Sequence, residues 1–147
     1  MDFFQEISLN KPLWVAIVAW FIAQVIKILI ELARVKRLNW HLLFASGGMP
    51  SSHSAIITAV ATSIGLIYGF DSALFALAAV ISLVVMYDAS GVRRQAGRHA
   101  SLINEIIEHI EHTGIKLDRK LKTLLGHSPV EVFAGAILGI VVAIIFQ

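Results

Sequence analysis

Residues 12–33 read PLWVAIVAWFIAQVIKILIELA, an apolar run interrupted by polar side chains only at Gln24, Lys27 and Glu31. The hydrocarbon core of a bilayer is about 30 Å thick and takes roughly 17–25 such residues to cross as a helix, so this stretch predicts a membrane span. Outward from it, three further apolar segments lie at about Ser54 to Phe70, Ser72 to Tyr87 and Pro129 to Phe146. The middle two are short and alanine-rich, which predicts little tilt or a locally thin bilayer. The composition agrees. With 57% hydrophobic and 15% charged residues in 147, and a mean hydropathy of +0.78, the chain is too apolar for a water-soluble domain of its size. The predicted fold class is all-α: a polytopic transmembrane helical bundle of about four spans plus an interfacial amphipathic helix, forming one domain over 1–147.

The absence of cysteine excludes a disulfide framework, a cysteine zinc site and a thiol nucleophile. A net charge of +2 is too small to imply a nucleic-acid partner; the placement of the charges matters more. The amino terminus, MDFFQEISLNKPLW, lacks the basic flank and cleavage site of a signal peptide, so the first span is expected to be retained. Four crossings put both long polar segments, Arg34 to His53 and Asp88 to Ser128, on one side. That side carries Arg34, Lys36, Arg37, Arg93, Arg94, Arg98, Lys116, Arg119, Lys120 and Lys122, and the other carries Lys11. Short cytoplasmic loops are enriched in Lys and Arg, which predicts a cell-membrane protein with these loops in the cytoplasm. Basic residues gathered to bind phosphate would give the same asymmetry on either face. Within the second segment, ASLINEIIEHIEH (100–112) sets Ile103, Ile106, Ile107 and Ile110 on one helical stripe, predicting the interfacial helix, ended by Gly114.

Four groups of residues carry candidate chemistry. Lys27 and Glu31 lie in the first span, where an unpaired charge costs about 2.5–3.5 kcal/mol on insertion scales. They can pair with each other at i,i+4; Arg34, nearly two turns beyond Lys27, projects from the same face. SGGMPSSHSA (46–55) joins a glycine-rich loop to a helix start, with Ser51 or Ser52 as cap. That is either simple capping or an anion cradle with His53 placed to protonate a departing oxygen. YDASGVRRQAGRH (87–99) presents Arg93 and Arg94 at the membrane surface, with Asp88 able to pair with one of them. Guanidinium forks suit phosphate oxygens, in a substrate or in ordinary headgroups. GHSPVEVFAGAILG (126–139) places Glu131 four residues after His127. The carboxylate can fix the imidazole tautomer and leave the other nitrogen free to attack, or Ser128, Pro129 and Glu131 can form an ordinary capping box.

In order along the chain, these residues resemble the type 2 phosphatidic acid phosphatase superfamily, whose motifs can be written K-x6-RP, PSGH and SR-x5-H-x3-D. Lys27 and Arg34 match the first, with Val35 in place of proline; Pro50, Ser51, Ser52 and His53 match the second, with Ser52 at the glycine position. His127-x3-Glu131 resembles the end of the third, with Glu for Asp and with Val132, Gly135 and Gly139 following as in the family. Its arginine is missing upstream, where Leu121 stands, and Arg93 or Arg94 is expected to supply that role across an inserted segment. Arg93-x5-His99 has the same spacing but leads to Ile103 rather than an acid, so His127 is preferred as nucleophile. The similarity runs from Lys27 to Gly139 and is closest to the small, divergent membrane branch. The superfamily usually has six spans, so the resemblance also implies a homodimer that completes the scaffold.

The resemblance implies a metal-independent lipid phosphate phosphatase with no cofactor. Lys27, Arg34 and Arg93 or Arg94 would grip the phosphate, and Ser51 and Ser52 would complete the cradle. His127, oriented by Glu131, would form a phosphohistidine, and His53 would act as acid and then base. A site at the lipid–water boundary suits a membrane lipid phosphate, with phosphatidylglycerophosphate or phosphatidate as candidates and a polyprenyl pyrophosphate as the main rival. Two other classes compete: a non-catalytic protein that binds anionic lipid, and a metal-dependent enzyme suggested by six histidines. The second lacks any compact ligand motif such as HExxH.

Overall fold

The computed structural model describes residues 2–36, 47–111, 121 and 126–147. Among them it forms six helices: α1 (Phe3–Ser8), α2 (Lys11–Val35), α3 (Ser52–Tyr68), α4 (Ala73–Ser90), α5 (Val92–Glu111) and α6 (Pro129–Phe146). α2, the run of α4 into α5, and α6 are long and apolar enough to cross a membrane, and α3 is a shorter apolar helix. At 17 residues α3 is about 26 Å long, just short of the hydrocarbon thickness.

Each span begins at a polar cap, as the sequence requires where free N–H groups would otherwise enter lipid. The side chains of Asn10, Ser51, Ser72 and Ser128 accept from the backbone N–H of Leu13, Ser54, Phe75 and Glu131, at 3.2, 3.3, 3.2 and 3.3 Å. α2 ends where Lys36 turns left-handed, with φ of 54°.

α3 is the central helix, packed against α2, α4 and α6, and α2 also meets α6. Their shared core consists of Val15, Ala19, Ala23, Ala55, Ala59, Val142 and Ala143. Lipid tails are as apolar as these side chains, so association rests on close packing and interhelical hydrogen bonds rather than on escape from water. Gly135 and Gly139 set the closest approach: a methyl group on the first would overlap the Ser51 carbonyl, and on the second the Ala55 carbonyl and the Thr58 hydroxyl. The Thr58 hydroxyl lies 3.1 Å from the Ala136 carbonyl of α6, and Ser82 of α4 donates to the Ile57 carbonyl of α3 at 3.1 Å.

Because consecutive spans alternate in direction, one end of the bundle gathers the C-termini of α2 and α4 and the N-termini of α3 and α6. The opposite end is tied where Lys11 Nζ donates to the Gln147 carbonyl at 3.0 Å. One expectation is corrected. The segment after Tyr87 is not a loop followed by a helix from Ala100: α4 runs to Ser90 and α5 starts at Val92, with only Gly91 between them. Ser90-Gly91 reads as a turn, but the Gly91 N–H still bonds to the Tyr87 carbonyl and its own carbonyl accepts from Gln95, so the helix is interrupted for a single residue. Ile103 and Ile106 lie exposed on α5, as an interfacial face would. The expected stop at Gly114 lies outside the described residues.

Candidate active site

The end of the bundle that collects four helix termini brings together side chains far apart along the chain. The rings of His53, in the first turn of α3, and His127, just before α6, lie 6.4 Å apart between centroids and are tilted by 59°. His127 is buried, with only 2% of its surface exposed. Its Nδ1 lies 3.2 Å from Glu131 Oε2. The same oxygen accepts the Ser128 N–H at 2.9 Å, while the Ser128 hydroxyl accepts the Glu131 N–H. The two sequence readings of this segment therefore coexist, since one carboxylate oxygen closes the capping box and orients the imidazole. An ionised carboxylate is only an acceptor, so Nδ1 carries the proton and Nε2 keeps its lone pair. Nε2 is buried and has no hydrogen-bond partner among the described residues. Burial pushes the His127 pKa below the usual imidazole value, and the charges of Lys27 and His53 push the same way against the upward pull of Glu131. The ring is neutral at pH 7, the state a nucleophile needs.

The backbone around His127 is positioned by a contact that spacing alone does not reveal. Its N–H donates to the Ala89 carbonyl at the end of α4, at 2.9 Å. Gly126 turns with φ of 88°, and a Cβ there would overlap the backbone N of Arg94. The start of α6 is thus seated on the α4–α5 junction, with Gly126 against the backbone of Arg93 and Arg94. Of the adjacent arginines, Arg93 lies within electrostatic reach of His53, and its Nε donates to Asp88 Oδ2 at 2.7 Å. Arg94 is exposed, and it meets Gly126 through its backbone.

Lys27 is buried at 3% exposure, although it carries an ammonium group. Its charge reaches Glu131, His53 and His127, and its stem packs where Gly48, with φ of 94°, has no side chain. Lys27 and Arg34 share a recess of about 280 Å³ with Glu31, Ser128 and Glu131, as their common helix face predicts. Ser51 takes the capping role that the sequence allows it. It is fully buried, and its hydroxyl caps α3 by accepting from Ser54 N–H and Ser54 Oγ, at 3.3 and 3.1 Å. Ser52 is also buried, in the first turn. His99 is exposed on α5, in contrast to His127. The residues not picked out from the sequence are Gly126, whose signal was no more than a glycine before a histidine, and Ala89, which acts through its backbone.

A family model described as the Divergent PAP2 family matches residues 8–142. The chain belongs to this family. It is also 40% identical, over 95% of its length and 96% of the relative's, to a protein of Bacillus subtilis (strain 168) named uncharacterized membrane protein YuiD. No solved structure gives a significant match. In this divergent PAP2 protein the bundle brings Lys27 of α2, His53 of α3 and His127 before α6 to one end.

Proposed function

We propose that this divergent PAP2 protein is a lipid phosphate phosphatase that works through a phosphohistidine, with phosphatidate or phosphatidylglycerophosphate as substrate. The observation that carries the reading is the pair of imidazoles 6.4 Å apart, one held by a carboxylate and both beside a buried lysine. Phosphoryl transfer needs mainly positioning and neutralisation of oxygen charge, which fixed cations supply. Lys27, Arg34 and Arg93 take the phosphate oxygens, with Ser52 and the α3 amides at the helix start. The lone pair of His127 Nε2 forms the N–P bond while the P–O bond to the lipid breaks, and His53 gives its proton to the departing alkoxide. His53 then takes a proton from water; the hydroxide attacks phosphorus, the N–P pair returns to Nε2, and phosphate leaves. Glu131 keeps the His127 ring oriented throughout.

Every group in this scheme comes from one chain, so the chemistry does not call on a second copy. The basic end lies in the cytoplasm, and the lipid is drawn from the inner leaflet of the cell membrane. The test is phosphate release by purified protein in detergent with EDTA, from phosphatidate, phosphatidylglycerophosphate and a polyprenyl pyrophosphate. Release from either phospholipid that persists in EDTA and is lost in His127→Ala supports the reading. Release only from the pyrophosphate moves the substrate class. No release from any of them leaves an anionic-lipid-binding protein.

A further inference from the structure

Two recesses meet on the flank of the bundle where α2 faces α6. The first is the charged recess of Lys27 and Arg34. The second, of about 300 Å³, lies further into the membrane-spanning part and is lined by Ile26 and Ile30 of α2, Ala134, Ile137 and Val141 of α6, and Met49 and Pro50 of the loop before α3. Ile30 and Met49 line both, so the apolar recess lies directly beside the polar one. From Ala134 to Val141 the lining follows α6 for about 10 Å along the bundle.

We infer that this seam seats one hydrocarbon chain of the lipid whose phosphate occupies the charged recess. The inference rests on the phosphatase reading for its head end and adds the path of the tail. Two features select this occupant. A chain seated there carries its headgroup to Lys27 and Arg34, the cations that suit a phosphate. The lining changes from apolar to charged at Ile30 and Met49, as a lipid changes at its glycerol. The tail already lies in hydrocarbon before it enters, so the seam adds little affinity by desolvation. Its effect is orientation: it holds the head of the lipid beside Lys27, Arg34 and Glu131, a gain that appears in turnover.

The test uses the full-length protein in phosphatidylcholine vesicles with a phosphatidate bearing a photoactivatable diazirine midway along one acyl chain, and the matching phosphatidylcholine probe as control. Labelled peptides are mapped by mass spectrometry. Labelling by the phosphatidate probe concentrated at residues 26–30 and 134–141, and several-fold above the control, is the expected result. Seam labelling without any phosphate release overturns the phosphatase reading and leaves the seam standing. Labels spread over the outer face of α4, or equal for the two probes, mean bulk lipid only and overturn the inference. Where release is measurable, Ala134→Leu and Val141→Trp lower the ratio of long-chain to dihexanoyl phosphatidate turnover about tenfold. Leu83→Trp, on the exposed face of α4, leaves that ratio unchanged. An unchanged ratio in both seam variants also overturns the inference.

Discussion

Replacing Glu131 by glutamine separates the two tasks of one oxygen atom. Glu131 Oε2 accepts from Ser128 N–H at 2.9 Å and faces His127 Nδ1 at 3.2 Å. A glutamine carbonyl still accepts the Ser128 N–H, so the capping box survives and stability changes by less than about 0.5 kcal/mol. The anionic charge that fixes the Nδ1–H tautomer and stabilises the ring as it becomes cationic is lost. By comparison with carboxylate-to-amide changes behind other catalytic histidines, phosphate release falls about 10²–10⁴-fold. Glu131→Ala removes both contacts, and it lowers stability by about 1 kcal/mol in addition. The assays are thermal unfolding in detergent and phosphate release from phosphatidate, run on the same preparations. If Glu131→Gln releases phosphate at the rate of the unaltered protein, the carboxylate is a helix cap alone and the assignment of His127 as an oriented nucleophile fails.

The other predictions follow the same contacts. Gly126→Ala meets both a left-handed φ, at about 1 kcal/mol or more, and the Arg94 backbone, so activity falls at least about tenfold while unfolding shifts by a few degrees; unaltered activity removes the seating of α6 on the α4–α5 junction. Titration of the His127 ring by NMR gives a midpoint below about 6.5. Removing the Glu131 charge moves it further down and Lys27→Met moves it up, and shifts of opposite sign contradict the electrostatics described above. Asp88→Asn removes the carboxylate that positions the Arg93 guanidinium and raises KM about two- to fivefold, as loss of an exposed ion pair allows; an unchanged or lower KM means that Asp88 does not position Arg93 for the phosphate. His99→Ala keeps full activity, and its loss would transfer the nucleophile role to α5.

The spans and their caps were legible because both are local. Ser51 or Ser52, and Ser128 with Pro129, announce helix starts within a few residues, and the apolar runs set the lengths. The His127–Glu131 pair was legible for the same reason, as was the common face of Lys27 and Arg34. The junction at Gly91 was misread because a Ser-Gly pair is a turn signal that backbone bonding on both sides overrode. Capping was the favoured reading of the serines before α3, with an anion cradle as the alternative, and the buried Ser51 hydroxyl does accept the Ser54 N–H. The seating of Gly126 on Arg94 joins segments 32 residues apart in the sequence and depends on backbone shape, which residue types do not encode. The seam at Ile30 and Met49 likewise exists only once α2 and α6 are set side by side.

The proposed chemistry requires His127 to receive the phosphoryl group. Purified protein is mixed with phosphatidate labelled in its phosphate, in the presence of EDTA, and quenched within the first turnover in alkali, where phosphohistidine persists; the labelled peptide is then sequenced. Covalent phosphate is expected on His127, absent in His127→Ala and accumulating in His53→Gln, where no imidazole activates water. Phosphate released with no protein-bound intermediate, or label on His99 instead, would contradict it.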